Sequence, residues 1–85
     1  MAHTIEFRPG ARRDFQRLSP DVQSRLQPHI DALAQTPRPS GCKKLRGETN
    51  LWRVRAGDYR IVYQIHDAVL LVVVVTIAHR REVYR

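Results

Sequence analysis

Hydrophobic and polar positions alternate with a period of two through Leu51–Ile65, LWRVRAGDYRIVYQI. This is the signature of strands with one buried face. Gly57-Asp58 is a Gly-X pair of the kind that closes a two-residue hairpin. A hairpin turned there sets Arg55 opposite Arg60, Arg53 opposite Val62, Val54 opposite Ile61, and Trp52 opposite Tyr63. Trp52, Val54, Ala56, Tyr59, Ile61 and Tyr63 then share one face, and Arg53, Arg55 and Arg60 share the other. Like charges directly opposed across a ladder destabilise a sheet. Their retention on one face points to a polyanionic ligand.

The rest of the chain supplies the layer that covers the apolar face. His3–Arg8 alternates loosely around Ile5 and Phe7 and predicts a first strand. Pro9 suits the first turn of a helix, and Ala11, Phe15 and Leu18 follow at helical spacing. Ser19-Pro20 repeats the start signal, with Ser19 as N-cap and Pro20 at the first helical position. Val22, Leu26, Ile30 and Leu33 form one stripe on this second helix. Pro28 lies within it, where the missing N–H predicts a bend or a break. Thr36–Gly41, TPRPSG, reads as a loop. Lys43–Gly47, KKLRG, reads as a basic connector or short strand. A third long strand is expected over Val69–Ala78, turned near Asp67 and rich in valine, as suits a buried central strand. The order is β-α-α-β-β-β. The fold class is α+β, with two N-terminal helices packed on one face of a small, mainly antiparallel sheet.

Length and charge sharpen this picture. The chain has 85 residues and a formal net charge of +7, so a single domain with a modest core is expected. Residues 1–40 carry net +2 and residues 41–85 carry net +5. The excess therefore travels with the strands, as expected for contact with nucleic acid or an acidic protein. The longest apolar run, Ala68–Val75, is too short to cross a membrane, which needs about 20 residues. The start, MAHTIEFRPG, lacks the apolar core of a signal peptide. Cys42 is the sole cysteine, so neither a disulfide nor a thiolate metal site is expected, and a reducing, cytoplasmic setting fits.

The chemistry is carried by cations. An arginine fork matches a phosphate bidentately and keeps its charge at physiological pH. Several on one surface would clamp a phosphodiester and stabilise charge that grows during transfer. No His/Cys/Asp set has metal-ligand spacing. The acids after residue 40 (Glu48, Asp58, Asp67 and Glu82) make no pair suited to Mg²⁺. No glycine-rich phosphate loop is present. No metal or other cofactor is therefore expected. A nuclease built this way would need RNA, whose own 2′-hydroxyl can attack the neighbouring phosphate.

At three places the chain resembles the RelE family of toxins, within the RelE/ParE superfamily of type II toxin–antitoxin systems. These are KLRG at Lys44–Gly47, RVRAGDYRIVY at Arg53–Tyr63, and HRREVYR at His79–Arg85. The resemblance runs over essentially the whole chain and implies a single toxin domain over residues 1–85. It implies a ribosome-dependent endoribonuclease that cuts messenger RNA in the decoding A site and halts translation. It also implies a cognate antitoxin, bound as a heterodimer or heterotetramer. Carried over residue by residue, it gives Arg53, Arg55, Arg60, Arg80 and Tyr84 as the catalytic set. Lys43, Lys44, Arg46, His79 and Arg81 are expected RNA contacts, with Arg81 a rival of Arg80. Relatives often carry lysines where this chain has Arg53 and Arg55. A lysine can act as a base, but arginine cannot. Proton transfer is therefore expected to fall to ribosomal groups, water or His79, whose side-chain type titrates near neutrality. Two other readings share the fold. One is a ParE-like toxin that poisons DNA gyrase without nuclease activity. The other is a basic docking module whose activity has decayed.

Overall fold

The fold was taken from a computed structural model that describes residues 2–45 and 50–79. Strand β1 (Thr4–Phe7) leads into helix α1 (Pro9–Arg17) and helix α2 (Pro20–Ala32). A two-residue strand β2 (Lys43–Lys44) precedes the hairpin β3 (Leu51–Ala56) and β4 (Tyr59–His66). A 3₁₀ turn over Asp67–Val69 then feeds β5 (Leu71–His79). The predicted order holds, with β2 realising the short-strand option for the basic connector. The sheet order is β1-β5-β4-β3-β2. β1 runs parallel to β5, and the other pairs are antiparallel.

Both helix starts follow the sequence signals. Pro9 and Pro20 occupy the first turns, and Ser19 Oγ accepts a hydrogen bond from the Val22 N–H at 3.3 Å. α2 runs unbroken past Pro28, which sits on its exposed side. The lost bond to Ser24 is tolerated because Leu26, Ile30 and Leu33 are clamped in the core on the other side (0–2% exposed). Each such burial contributes about 1.5–3 kcal/mol. With Ala11 they pack onto Ile61, Tyr63, Ile65, Val72 and Val74.

The hairpin register is the predicted one, pair for pair from Trp52↔Tyr63 to Arg55↔Arg60. Gly57 has φ +63° and no positive φ falls at Asp58, as in a type II′ turn. β5 begins at Leu71 rather than at Val69, because the 3₁₀ turn and Leu70 at φ 52° occupy the intervening residues. It is the central strand expected of a valine-rich run, between β1 and β4. Val62 pairs with Thr76 but Tyr63 pairs with Val74, so Val75 is an extra residue. This bulge shifts the alternation by one. Val72, Val74 and then Ile77 face the core, while Thr76 and Ala78 face away.

Candidate nucleic-acid interface

Cross-strand partners share a face, so the register maps the side of the sheet away from the helices. At the hairpin-turn end a first row runs Ala78–Arg60–Arg55. The next runs Thr76–Val62–Arg53–Lys43. Beyond it lies Glu6–Val73–Gln64–Leu51, and then Thr4–Leu71–His66. Cations therefore occupy two adjacent rows at one corner. Apolar and neutral polar groups fill the others, with the acid Glu6 at the far edge.

The cations differ in their surroundings. Arg55 and Lys43 are exposed, Arg53 is half-buried, and Arg60 is only 5% exposed. Burial, and then the charges of Arg53 and Arg55, push the Arg60 pKa below the ordinary guanidinium value. The smaller, like-charge part of this shift is one that a bound anion would relieve. Beside it opens a cavity of about 390 Å³ lined by Ser40, Gly41, Lys43, Arg53, Val54 and Arg55.

The loop that forms the far wall of this cavity is tied down by side chains distant in sequence. The buried Tyr63 hydroxyl donates to the Pro37 carbonyl at 2.8 Å. Its pKa is driven far up by burial and by the Cys42 side chain, so it stays a donor. Arg38 lies over the Trp52 ring, 4.9 Å from its centroid. Its Nη2 also donates to Asp67 at 3.0 Å. His3 Nε2 meets the other Asp67 oxygen at 3.1 Å. These bonds hold the Asp67 carboxyl below the usual carboxylate range, with Arg38 the leading cause. Gly41, at φ +88°, lets the loop turn back toward β2.

The structure gathers Arg53, Arg55, Arg60 and Lys43, and parts two other predicted contacts from them. Lys44 pairs with Trp52, and His79 pairs with Tyr59. Alternation therefore puts both on the helix side of the sheet. The His79 ring packs edge-on against Tyr59, with centroids 5.2 Å apart. Arg46, Arg80, Arg81 and Tyr84 lie outside the described residues. Among the described residues, no group of three or more His, Cys, Asp and Glu side chains is arranged to hold a metal ion. The sequence reading missed Arg38, Asp67 and Tyr63 as supports of the site. It also passed over Gln64 and His66, whose signal was simple parity with Arg60.

A family model described as the ParE toxin of the type II toxin–antitoxin system parDE matches residues 5–84. Toxin RelG of Mycobacterium tuberculosis is 33% identical over 87 residues, covering 100% of this chain and 99% of the relative. The chain belongs to the RelE family of toxins, within the RelE/ParE superfamily. The mRNA interferase toxin RelE of Escherichia coli K12 is 30% identical, covering 99% of this chain and 92% of that one. The toxin–antitoxin complex RelBE2 of Mycobacterium tuberculosis contains a chain that superposes with a TM-score of 0.83 at 30% identity, covering 94% of this chain and all of that one. RelE-family membership accounts for the two-helix layer and the five-stranded sheet together.

Proposed function

We propose that this RelE-family chain is the toxin of a type II toxin–antitoxin system and cuts messenger RNA held in the ribosomal A site. The observation that carries the proposal is the convergence of Arg53, Arg55, Arg60 and Lys43 on the sheet face that the helices leave open. Relatives named as mRNA interferases support the substrate. Solved complexes titled as RelBE toxin–antitoxin pairs support a protein antitoxin as partner. The setting would be the cytoplasm, where ribosomes and message meet.

The chemistry follows from the cations. The ribose 2′-oxygen attacks the adjacent phosphorus and loses its proton. The bond from phosphorus to the 5′-oxygen breaks, and that oxygen gains a proton. The products are a 2′,3′-cyclic phosphate and a 5′-hydroxyl end. Arg53, Arg55 and Arg60 stabilise charge on the non-bridging oxygens, most strongly when the phosphorus is pentavalent. Family resemblance adds Arg80 to this cluster and Tyr84 as the group that orients the substrate. None of the arginines takes the proton. With His79 on the helix side, proton transfer falls to water or ribosomal groups.

Primer extension on a translated message tests this, with ribosomes present and absent. The wild-type chain should give ribosome-dependent cuts. Arg60→Ala should lose at least about 100-fold in rate, the usual effect of removing one charge-stabilising donor, while still binding its antitoxin. Full cleavage by a folded Arg60→Ala protein would overturn the assignment. The matching family model bears the ParE name, which keeps a gyrase-poisoning toxin as second reading. Intact message together with DNA damage after induction would select it.

A further inference from the structure

The open face is not uniformly cationic, and its neutral half has the chemistry of a base-binding surface. Along β4, Arg60, Val62, Gln64 and His66 point the same way, since Ile61, Tyr63 and Ile65 between them are at most 1% exposed. Same-face residues on a strand are about 6.6 Å apart. Gln64 therefore lies about 13 Å from Arg60, within reach of the nucleotides that flank a phosphate bound at the cations. Around Gln64 the register sets Leu51 on β3 and Val73 on β5, with Val62 one step toward the arginines. All are half-buried. Glu6, at the end of the same row, would repel a phosphate there but not a neutral base.

We infer that Gln64 is a specificity-determining residue that reads a base beside the cut, and that His66 is the positioning residue that orients it. The inference rests on the RNA-cleaving reading of this face. The deciding geometry is the contact of His66 Nε2 with Gln64 Oε1 at 3.2 Å. An imidazole N–H donating to Oε1 engages the amide oxygen and leaves the Nε2 hydrogens as the recognition group. An amide presented through its donors selects the carbonyl at position 6 of guanine or position 4 of uracil over the amino group that adenine and cytosine carry there. Single-stranded RNA exposes those edges, and its bases stack on apolar or planar surfaces. The phosphate thus lies on the rows that hold the cations, while the base lies on the rows beside them, which offer an apolar floor and one amide.

The test is ribosome-dependent cleavage of a message with randomised codons, followed by sequencing of the new 5′-hydroxyl ends. The wild-type chain should show guanine or uracil enriched at one position next to the cut. Gln64→Ala should reduce that enrichment about tenfold, in keeping with the discrimination of an amide–base contact. Gln64→Glu, nearly isosteric and acceptor-only, should abolish the preference for those carbonyls and turn it toward edges that donate, the amino groups of adenine and cytosine or the N1–H and N2 amino group of guanine. His66→Ala should blunt the enrichment and His66→Gln, which still offers an N–H, should restore it. A loss of fold would lower the yield of cuts without changing which base flanks them. A base distribution identical in the wild type and all four variants overturns the inference and leaves the cleavage reading standing. No cuts by the wild-type chain would instead overturn the reading of the face itself.

Discussion

Tyr63→Phe separates the support of the site from its charge. The Tyr63 ring is fully buried, and its hydroxyl joins the centre of the sheet to the loop before β2, at 2.8 Å from the Pro37 carbonyl. Phenylalanine keeps the ring packing, so no cavity forms. What is lost is a hydrogen bond whose carbonyl partner is only half-buried and can be partly rehydrated. The expected cost is about 1–2 kcal/mol. For a domain of this size that lowers Tm by roughly 4–16 °C. Tyr63→Ala would also empty the ring site and cost about 3–5 kcal/mol. Urea unfolding monitored by Trp52 fluorescence measures both, and the slope against denaturant should be unchanged. The pH dependence adds a second check. The folded-state pKa of Tyr63 lies above the ordinary value. Its contribution is therefore complete below about pH 10, where the unfolded tyrosine titrates, and is lost as pH rises toward the folded value. The gap between wild type and Tyr63→Phe should hold at neutral pH and close in alkali. A stability difference within about 0.3 kcal/mol at neutral pH, well under a net hydrogen bond, would refute the claim that this bond anchors the loop.

Other perturbations probe separate parts of the argument. Asp67→Asn should destabilise the protein at neutral pH, because a carboxyl with a lowered pKa contributes fully above its unfolded value. That contribution is lost as pH falls through the folded value, so melting curves from pH 7 to pH 3 should show the variant's deficit shrinking. Pro28→Ala restores the donor to Ser24 in a helix that already has its final shape; it should stabilise by about 1–3 kcal/mol, and a lower Tm would contradict the account of α2. His79→Ala should leave the pH–rate profile of cleavage unchanged, since the ring sits against Tyr59 on the other side of the sheet. Arg60→Met should abolish cleavage in a protein that still folds and binds its antitoxin; a variant that no longer folds would mean that Arg60 is chiefly structural.

The hairpin was legible because two local rules agreed. Gly57-Asp58 fixed the turn, and strict alternation on either side then dictated every pair through Trp52↔Tyr63. The arginine face followed without further assumption. Three features were hidden for physical reasons. The bulge at Val75 lies in a run of valines, where a shift by one residue changes neither composition nor local propensity. The bulge sets the parity of everything beyond it on β5, so His79 lies with Tyr59 rather than with the arginines. The parallel pairing of β1 with β5 depends on how two helices cross the sheet, which periodicity does not report. The Tyr63–Pro37 and Arg38–Asp67 bonds join residues 26 and 29 positions apart, and no short motif marks them. Pro28 left a bend or a break open, and core packing carries α2 past it without a break.

What links these pieces is that core and site are the same two strands read in opposite parity. Trp52, Val54, Ile61 and Tyr63 bring β3 and β4 down onto the helices, and that burial forces Arg53, Arg55 and Arg60 upward together. The repulsion among them is carried by the core beneath. The site is thus held open electrostatically by packing energy from its own reverse side, and an anion that binds there recovers stability the free chain lacks. A ligand that binds only the folded form raises stability with its concentration. Polyanions such as a short RNA should therefore raise Tm, and the rise should fade with salt as counterions screen the face. With Arg53, Arg55 and Arg60 all changed to glutamine the effect should shrink sharply. The same salt-sensitive rise in the triple variant would move the anion site elsewhere on the molecule and separate the hairpin's charge from its function.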